Sequence, residues 1–559
     1  MTYLILFLVL CLGGNILAED VLVQLPLGTV KGLTRSTAKG TTFYSFQGIP
    51  YAEKPIGDLR FQVPVSKSSW NGTWDASKEG SICNQMNNER PNQSEDCLFI
   101  NVFTPKINAN LPVLFFIYGG GFIEGASLEA YYGPHFLMEE GVVLVTFNYR
   151  VGPYGFLSTG DDLVPGNAGL KDQVLALKWV NQYIKYFGGD PSKVTIFGQS
   201  AGGASCAYHI MSPLSKGLFR AAILLSGTSL SPWAYQRNPQ KWSRNLINLM
   251  DNENYEKYNT SQKIYEYLKQ APAEFINKAS LKVQEQDQYK YLQLFQGFFF
   301  APVYEHEHDG AFITKPTYEA LDQGDFTKIP ILLGATSEEY YFYLDDKENL
   351  NHIIERLTES YDSVPDDMHA LDENKDKIKA EIMKFHTFGA KYADNSRGVV
   401  KLMSDHDFAK SVLKFAELLA KHSQNPYLYQ FSYKGVLAAQ TNQSEKGFSD
   451  TVGHVEDLSY IFSQNYPGVN TTDLTKYPKD DQLIQKIFTT MLTNFAKYLN
   501  PTPEKDDVLQ NTIWPKTDSD FTYLDIGSDM EIKTHMKSDM YNFWNKLYAQ
   551  YAVRPFDTY

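Results

Sequence analysis

Apolar residues along this chain alternate between two patterns. Short unbroken runs, Val113-Leu114-Phe115-Phe116-Ile117, Val194-Thr195-Ile196-Phe197 and Ile331-Leu332-Leu333, read as buried strands. Elsewhere the spacing is helical. Leu170, Val174, Leu177, Val180, Ile184 and Phe187 fall on one face of a helix running from Gly169 to Phe187, which Gly188-Gly189 ends. Ile484, Phe488, Met491, Phe495 and Tyr498 mark a second such helix, stopped before Pro501. Strand-like and helix-like segments alternate through the first half, which predicts an α/β fold with a large, mostly parallel central sheet covered by helices on both faces. Two polar stretches, about 238–299 and about 345–409, read as helical excursions above that sheet, capping a site. Charge runs such as Asp372-Glu373-Asn374-Lys375-Asp376-Lys377 read as solvated helix faces. No internal repeat, linker or clean boundary divides the chain.

Composition narrows the classes. A chain of 559 residues that is 43% hydrophobic supports a large core. A formal charge of −14 argues against nucleic acid and anionic membranes as partners. Residues 1–18 form an apolar stretch, Leu4 to Leu12, followed by small residues, which reads as a secretory signal peptide cut after Ala18. The positive residues usual before such a stretch are missing, and Ile16 sits at the −3 position. No later run is long and apolar enough to span a bilayer, and Arg554 to Tyr559 carries no retention or lipid-anchor signal. The expectation is a secreted, extracellular protein without a membrane partner, with 19–559 as one domain. Sequons at Asn71, Asn92, Asn259, Asn442 and Asn470 fit that route.

The chemistry centres on Gly198-Gln199-Ser200-Ala201-Gly202, a G-x-S-x-G pattern. A strand-like run precedes it and a helix-like segment, Ala201 to Ile210, follows. Strand, tight turn, helix is the context in which a serine is pushed out as a nucleophile. Upstream, Tyr118-Gly119-Gly120-Gly121-Phe122 follows another strand-like run. Acyl transfer builds negative charge on a carbonyl oxygen, and preorganised backbone N–H groups stabilise it. Gly120, Gly121 and Ala201 are the candidate donors; a plain glycine turn is the weaker reading. Downstream, Gly334-Ala335-Thr336-Ser337-Glu338-Glu339 offers two carboxylates after a short strand, and Thr451-Val452-Gly453-His454 offers a histidine in a glycine-containing loop.

Ser, acid, His is the chain order of α/β-hydrolases. The chain resembles the type-B carboxylesterase and cholinesterase family of that fold. The resemblance covers nearly all of the chain after residue 18. Further motifs carry it: Ser94-Glu95-Asp96-Cys97-Leu98-Phe99-Ile100-Asn101-Val102-Phe103-Thr104-Pro105, Gln47-Gly48-Ile49-Pro50-Tyr51-Ala52, Gly57-Asp58-Leu59-Arg60-Phe61, Phe147-Asn148-Tyr149-Arg150 and Asn167-Ala168-Gly169-Leu170-Lys171-Asp172-Gln173. Gln199 and the run Gly453-His454-Val455-Glu456-Asp457 look most similar to insect secreted esterases, juvenile hormone esterases among them.

The resemblance implies the α/β-hydrolase fold and a Ser200–His454–Glu339 triad. A lone histidine would read as structural; His454 stands where the family places its base. The family's acid lies five residues after the glycine that ends the strand, which from Gly334 is Glu339 rather than Glu338. Most relatives have glycine next, where this chain has Tyr340. Ser226 reads equally as a support for the acid and as an ordinary strand-end serine. The resemblance further implies a Cys83–Cys97 disulfide, ion pairs Arg60–Glu95 and Arg150–Asp172, and a pocket wall from Trp233, Phe298, Phe342 and Tyr343. Cys11 leaves with the signal peptide, and Cys206 is left as a buried thiol.

The function these residues imply is hydrolysis of neutral, apolar carboxylic esters through an acyl-enzyme, without a cofactor or metal. Juvenile hormone, odorant acetates and xenobiotic esters are the candidate substrates. Glu305-His306-Glu307-His308-Asp309 has the residue types of a metal site but the spacing of none. A choline ester is disfavoured, because the Cys83–Cys97 segment carries no Trp and Gln199 replaces an acid beside the serine. The alternative from another class is a cholinesterase-like adhesion protein that keeps the fold and has lost the chemistry; such relatives usually lack part of the triad.

Overall fold

The computed structural model describes residues 20–86, 90–286, 297–344, 346–438 and 451–559. Among these residues, thirteen strands form one mixed sheet. In spatial order they run Asp20–Leu25, Gly28–Ser36, Thr42–Pro50, Phe99–Thr104, Val143–Phe147, Leu111–Ile117, Gly189–Gln199, Ala221–Leu225, Ile331–Thr336, Tyr427–Phe431, Tyr523–Ile526 and Met530–Lys533. Thr73–Asp75 adds in parallel to Gly28–Ser36.

From Val143–Phe147 to Tyr523–Ile526 every pairing is parallel. Apart from the parallel addition of Thr73–Asp75, the pairings outside that block, from Asp20–Leu25 to Val143–Phe147 and at Met530–Lys533, are antiparallel. The sheet is therefore mostly parallel, as expected, with an antiparallel N-terminal edge. There, short connections such as the one between Leu25 and Gly28 leave no room for a crossover helix. The central strands are buried on both faces, which is why Ala221–Leu225 and Val143–Phe147 read as continuous apolar runs.

The helix expected over Gly169 to Phe187 is Ala168–Tyr183, continued by a 3₁₀ turn Ile184–Phe187, and Gly188 stops it at φ 84°. Its apolar stripe, Leu170 to Phe187, is buried. The second expected helix is Lys479–Tyr498; four of its five marker residues are buried, while Tyr498 is exposed. The first polar stretch contains the helices Pro239–Met250, Ser261–Gln270 and Ala273–Glu285. The second contains Lys347–Glu359, Lys375–Thr387 and Ser396–Ser404. The last of these runs without interruption through a π-helical turn, Asp405–Ala409, into Lys410–Lys421. Such turns often mark functional sites.

Cys83 and Cys97 form a disulfide, and Cys206 is a buried free cysteine. Arg60 meets Glu95 at 2.6 Å and Arg150 meets Asp172 at 2.7 Å. Glu305, from the metal-like run, instead pairs with Lys171 at 2.7 Å in full burial. Asn71, Asn92, Asn259 and Asn470 are exposed, and Asn442 lies outside the described residues. Among the described residues no helix is long and apolar enough to cross a membrane.

Candidate active site

Parallel strands bring the segments after their carboxyl ends to one edge of the sheet, where α/β proteins bind ligands. Gly119–Gly121, Ser200 and Glu339 all follow central strands directly, and His454 follows Tyr427–Phe431 at a longer interval.

Ser200 alone turns the chain from the strand Gly189–Gln199 into the helix Ala201–Met211, at φ 59° and ψ −125°. A non-glycine residue in such a conformation costs ~1–3 kcal/mol, which the surroundings must offset. The Ser200 N–H donates to the Leu225 carbonyl at 2.8 Å, and its carbonyl accepts from Ala204 N–H at 2.9 Å. The turn closes because the next position but one is Gly202, where a Cβ would stand 1.9 Å from the Ile117 carbonyl oxygen.

Gly120 and Gly121 have φ 106° and φ 59°. Among the described residues nothing accepts a hydrogen bond from the N–H of Gly120, Gly121 or Ala201. For Ala201 the reason is general: the first N–H groups of a helix have no partner within it. The three candidate donors are therefore available to an anionic oxygen.

Glu339 Oε2 lies 2.6 Å from His454 Nδ1, and the Glu339 carbonyl accepts the His454 N–H at 2.9 Å. Glu339 Oε1 accepts the Thr336 N–H at 2.9 Å. Burial alone would raise this carboxyl; the His454 charge and the hydrogen bonds from His454 and Thr336 hold it below the usual range. Ser226 Oγ is buried beside the carboxylate without a hydrogen bond of normal geometry. Glu338 faces the other way, toward Lys537, Asp405 and Ser404, and burial pushes its carboxyl up. Of the two neighbouring acids, only Glu339 touches His454.

Ser200 and His454 are not hydrogen-bonded to each other, and Ser200 Oγ has no hydrogen-bond partner among the described residues. The Gln199 amide nitrogen lies 3.2 Å from His454 Nε2 and 3.4 Å from Nδ1. Near-equal reach to both nitrogens places the amide over the ring face rather than on the axis of either lone pair.

Two different walls flank the serine. On one side Phe298 packs its ring over Gly121, where a Cβ would come within 2.5 Å of it. Trp233 sits 6.2 Å from Phe298 and 5.6 Å from Phe408 between ring centroids, and its Nε1 donates to the Asp407 carbonyl. Phe408, on the π-helical turn, also packs on the His454 ring at 4.6 Å. Phe342 and Tyr343 follow Glu339 on the 3₁₀ turn Tyr341–Leu344, and their side chains lie outside the described residues.

On the other side a cavity of about 510 Å³ opens, bounded by Gly120, Gln199, His454, Arg90, Glu124 and Glu456. This side sets charged groups among apolar ones, Tyr131, Tyr132 and Leu458 included. Arg90 lies inside the Cys83–Cys97 segment and Glu124 three residues after the glycine run, both legible motifs. Nothing in their types distinguishes them from ordinary surface charges. Burial pushes the Glu456 carboxyl up to about 7. Burial, then the charge of Glu339, push Asp457 up to about 7.

The chain is similar to known esterases along nearly its whole length. The carboxylesterase family model matches residues 19–544. A carboxylic ester hydrolase of Bombus ignitus is 32% identical over 548 residues, covering 94% of both chains. A juvenile hormone esterase of Tribolium castaneum is 33% identical over 510 residues, 87% of this chain and 84% of that one. The crystal structure of juvenile hormone esterase from Manduca sexta, with OTFP covalently attached, matches with a TM-score of 0.81 at 29% identity, over 95% of this chain and 100% of that one. This chain belongs to the carboxylesterase family and is a carboxylic ester hydrolase.

Proposed function

We propose that residues 19–559 act as one secreted esterase domain, and that Ser200, His454 and Glu339 hydrolyse neutral esters with an apolar acyl part through an acyl-enzyme. The observation that carries this reading is the hydrogen bond between His454 Nδ1 and Glu339 Oε2, at a ring whose other nitrogen is turned toward the serine strand end. Ser200 gives its proton to His454 Nε2 as its Oγ attacks the ester carbon. The carbonyl oxygen becomes an oxyanion held by the N–H groups of Gly120, Gly121 and Ala201. His454 passes the proton to the departing alkoxide, which leaves as the alcohol. Water then repeats the sequence, giving its proton to His454 and its oxygen to the acyl carbon, and the acid departs as Ser200 recovers its proton. Glu339 fixes the ring and balances its charge when protonated.

Binding of substrate must lift the Gln199 amide off the ring so that Ser200 Oγ can reach Nε2; such hydrogen bonds commonly tighten only in the complex. Trp233, Phe298 and Phe408 supply the acyl wall. Residues 1–18 act as the secretion signal, and the exposed sequons take glycans. Esters of the juvenile hormone, odorant acetate and xenobiotic classes share the required chemistry. Turnover of a simple aryl acetate by the purified chain and by Ser200→Ala tests the reading: the variant should stay folded and lose activity, and comparable turnover would contradict it.

A further inference from the structure

Behind the acyl wall a row of buried polar groups runs from the segment carrying Trp233 to the segment carrying Phe408. Trp233 sits on a single 3₁₀ turn, Pro232–Ala234, between the strand Ala221–Leu225 and the helix Pro239–Met250. No strand ladder fixes such a turn, so side chains must. Phe408 stands on the π-helical turn, two residues before Lys410.

The segment from Phe556 to Tyr559 threads between the two. Phe556, Thr558 and Tyr559 are buried, Thr558 completely. The Tyr559 N–H donates to the Leu230 carbonyl at 2.9 Å, three residues before Trp233. Arg237 Nη2 donates to Asp557 Oδ1 at 2.8 Å and to Thr558 Oγ1 at 2.6 Å, and its Nη1 donates to the Pro232 carbonyl at 3.4 Å. Thr558 Oγ1 in turn donates to Asp367 Oδ2 at 2.9 Å. Asp367 Oδ1 accepts from the Tyr548 hydroxyl at 2.8 Å, and that hydroxyl accepts from Lys410 Nζ at 3.0 Å. The Tyr559 ring packs on Tyr548 at 4.2 Å between centroids.

The row is symmetric about Asp367. Arg237 and Lys410 stand at its ends, and the hydroxyls of Thr558 and Tyr548 stand between each cation and the carboxylate. Each hydroxyl accepts from the cation and donates to the carboxylate, so every link depends on its neighbours. One end grips the Trp233 turn and the other lies beside the Phe408 turn. The row therefore sets how far apart the two segments lie.

We propose that Thr558 is a positioning residue for acyl specificity: by joining Arg237 to Asp367 it holds Trp233 and Phe408 at the spacing an acyl chain meets. The inference rests on the esterase reading, with these two rings as the acyl wall. Without the Thr558 hydroxyl, a buried guanidinium N–H and a carboxylate oxygen face each other unmet across the gap. Packed interiors lose rigidity before they lose stability. The wall should then yield to an acyl chain and bury less of each added methylene, while the fold survives.

The test measures kcat/KM on 4-nitrophenyl acetate and 4-nitrophenyl butyrate with the purified full chain, Thr558→Val and Thr558→Ser. The leaving group is the same in both esters, so the butyrate-to-acetate ratio reads the acyl side alone, and any loss of active protein cancels in it. In Thr558→Val the ratio should fall by about fourfold, the gain from one buried methylene, with acetate turnover little changed. Thr558→Ser keeps the hydroxyl and should keep the parent's ratio. If Thr558→Val does not fold, Tyr548→Phe, which breaks the matching link on the other side of Asp367, should lower the ratio in its place. A lowered Tm with the parent's ratio would make the row structural only and overturn this inference, as would an equal fall in Thr558→Ser; both leave the esterase reading intact. A parent ratio of one would overturn the acyl-wall assignment and this inference together. Turnover of neither ester by the parent would overturn the esterase reading as well.

Discussion

Glu339 and His454 are joined twice. The carboxylate meets ring Nδ1 at 2.6 Å, and the Glu339 carbonyl accepts the His454 backbone N–H at 2.9 Å. The backbone bond ties the two loops together independently of either side chain's rotamer. The ring is therefore held by a scaffold and not by the side-chain pair alone, which is how a base is kept in one tautomer and orientation.

The consequence for the paired acids is a sharp asymmetry. Glu339→Gln should lower kcat by ~10⁴, the cost of a lost carboxylate partner, while Glu338→Gln should cost less than ~10-fold because its carboxyl faces away from the ring. Steady-state kinetics on an aryl acetate reads both. Equal losses would mean that the double tie does not orient the base.

Asp457 gives a pH-dependent prediction. Its folded carboxyl sits up at about 7 against ~4 in an unfolded chain. Below ~4 the group is protonated in both states. Between ~4 and about 7 only the unfolded chain ionises, so folding stability falls as pH rises, and above that window the loss is complete. Asp457→Asn removes this titration. Its Tm relative to the parent should be more favourable at pH ~8 than at pH ~5. The same difference at both pH values would contradict the assignment.

The acyl wall predicts a chain-length dependence. Trp233 and Phe408 are buried and aromatic beside the serine. Each added acyl methylene should contribute ~0.8 kcal/mol, roughly fourfold in kcat/KM, until the space is full. A flat series from acetate to hexanoate would place the acyl group elsewhere.

The cysteines give a covalent check. Peptide mapping without reduction should find Cys83 linked to Cys97. Cys206 should resist a thiol reagent until the protein is denatured, since burial pushes its thiol well up. A crosslink containing Cys206 would contradict the pairing.

The legible parts of the site were those where chemistry is written in neighbouring residues. Gly198 to Gly202 must be glycine-flanked for the strand and helix to meet, so the turn announces itself. The family's spacing from Gly334 separates Glu339 from Glu338, and it carries over because a short strand-to-turn register is local. The central strands were legible for the same reason: burial on both faces leaves only apolar residues. What stayed hidden depends on tertiary placement. The N-terminal strands pair antiparallel because of short connections, which a count of apolar runs does not reveal. Phe408 reaches His454 from the π-helical turn, and no residue type in Asp405–Ala409 signals that turn. Arg90, Glu124 and Glu456 converge from three separate segments, which only the tertiary placement reveals. The position of Gln199 over the His454 ring is likewise a property of side-chain packing.

The central claim is that Ser200 is the nucleophile, and covalent titration reaches it most directly. The purified chain is treated with a serine-reactive organophosphate, residual esterase activity is followed, and the modified residue is located by peptide mass spectrometry. Activity should vanish at one equivalent of reagent per chain, with the label on Ser200 and none in Glu339→Gln under the same brief exposure. Loss of activity with the label on another residue, or full activity after Ser200 is labelled, would contradict the account.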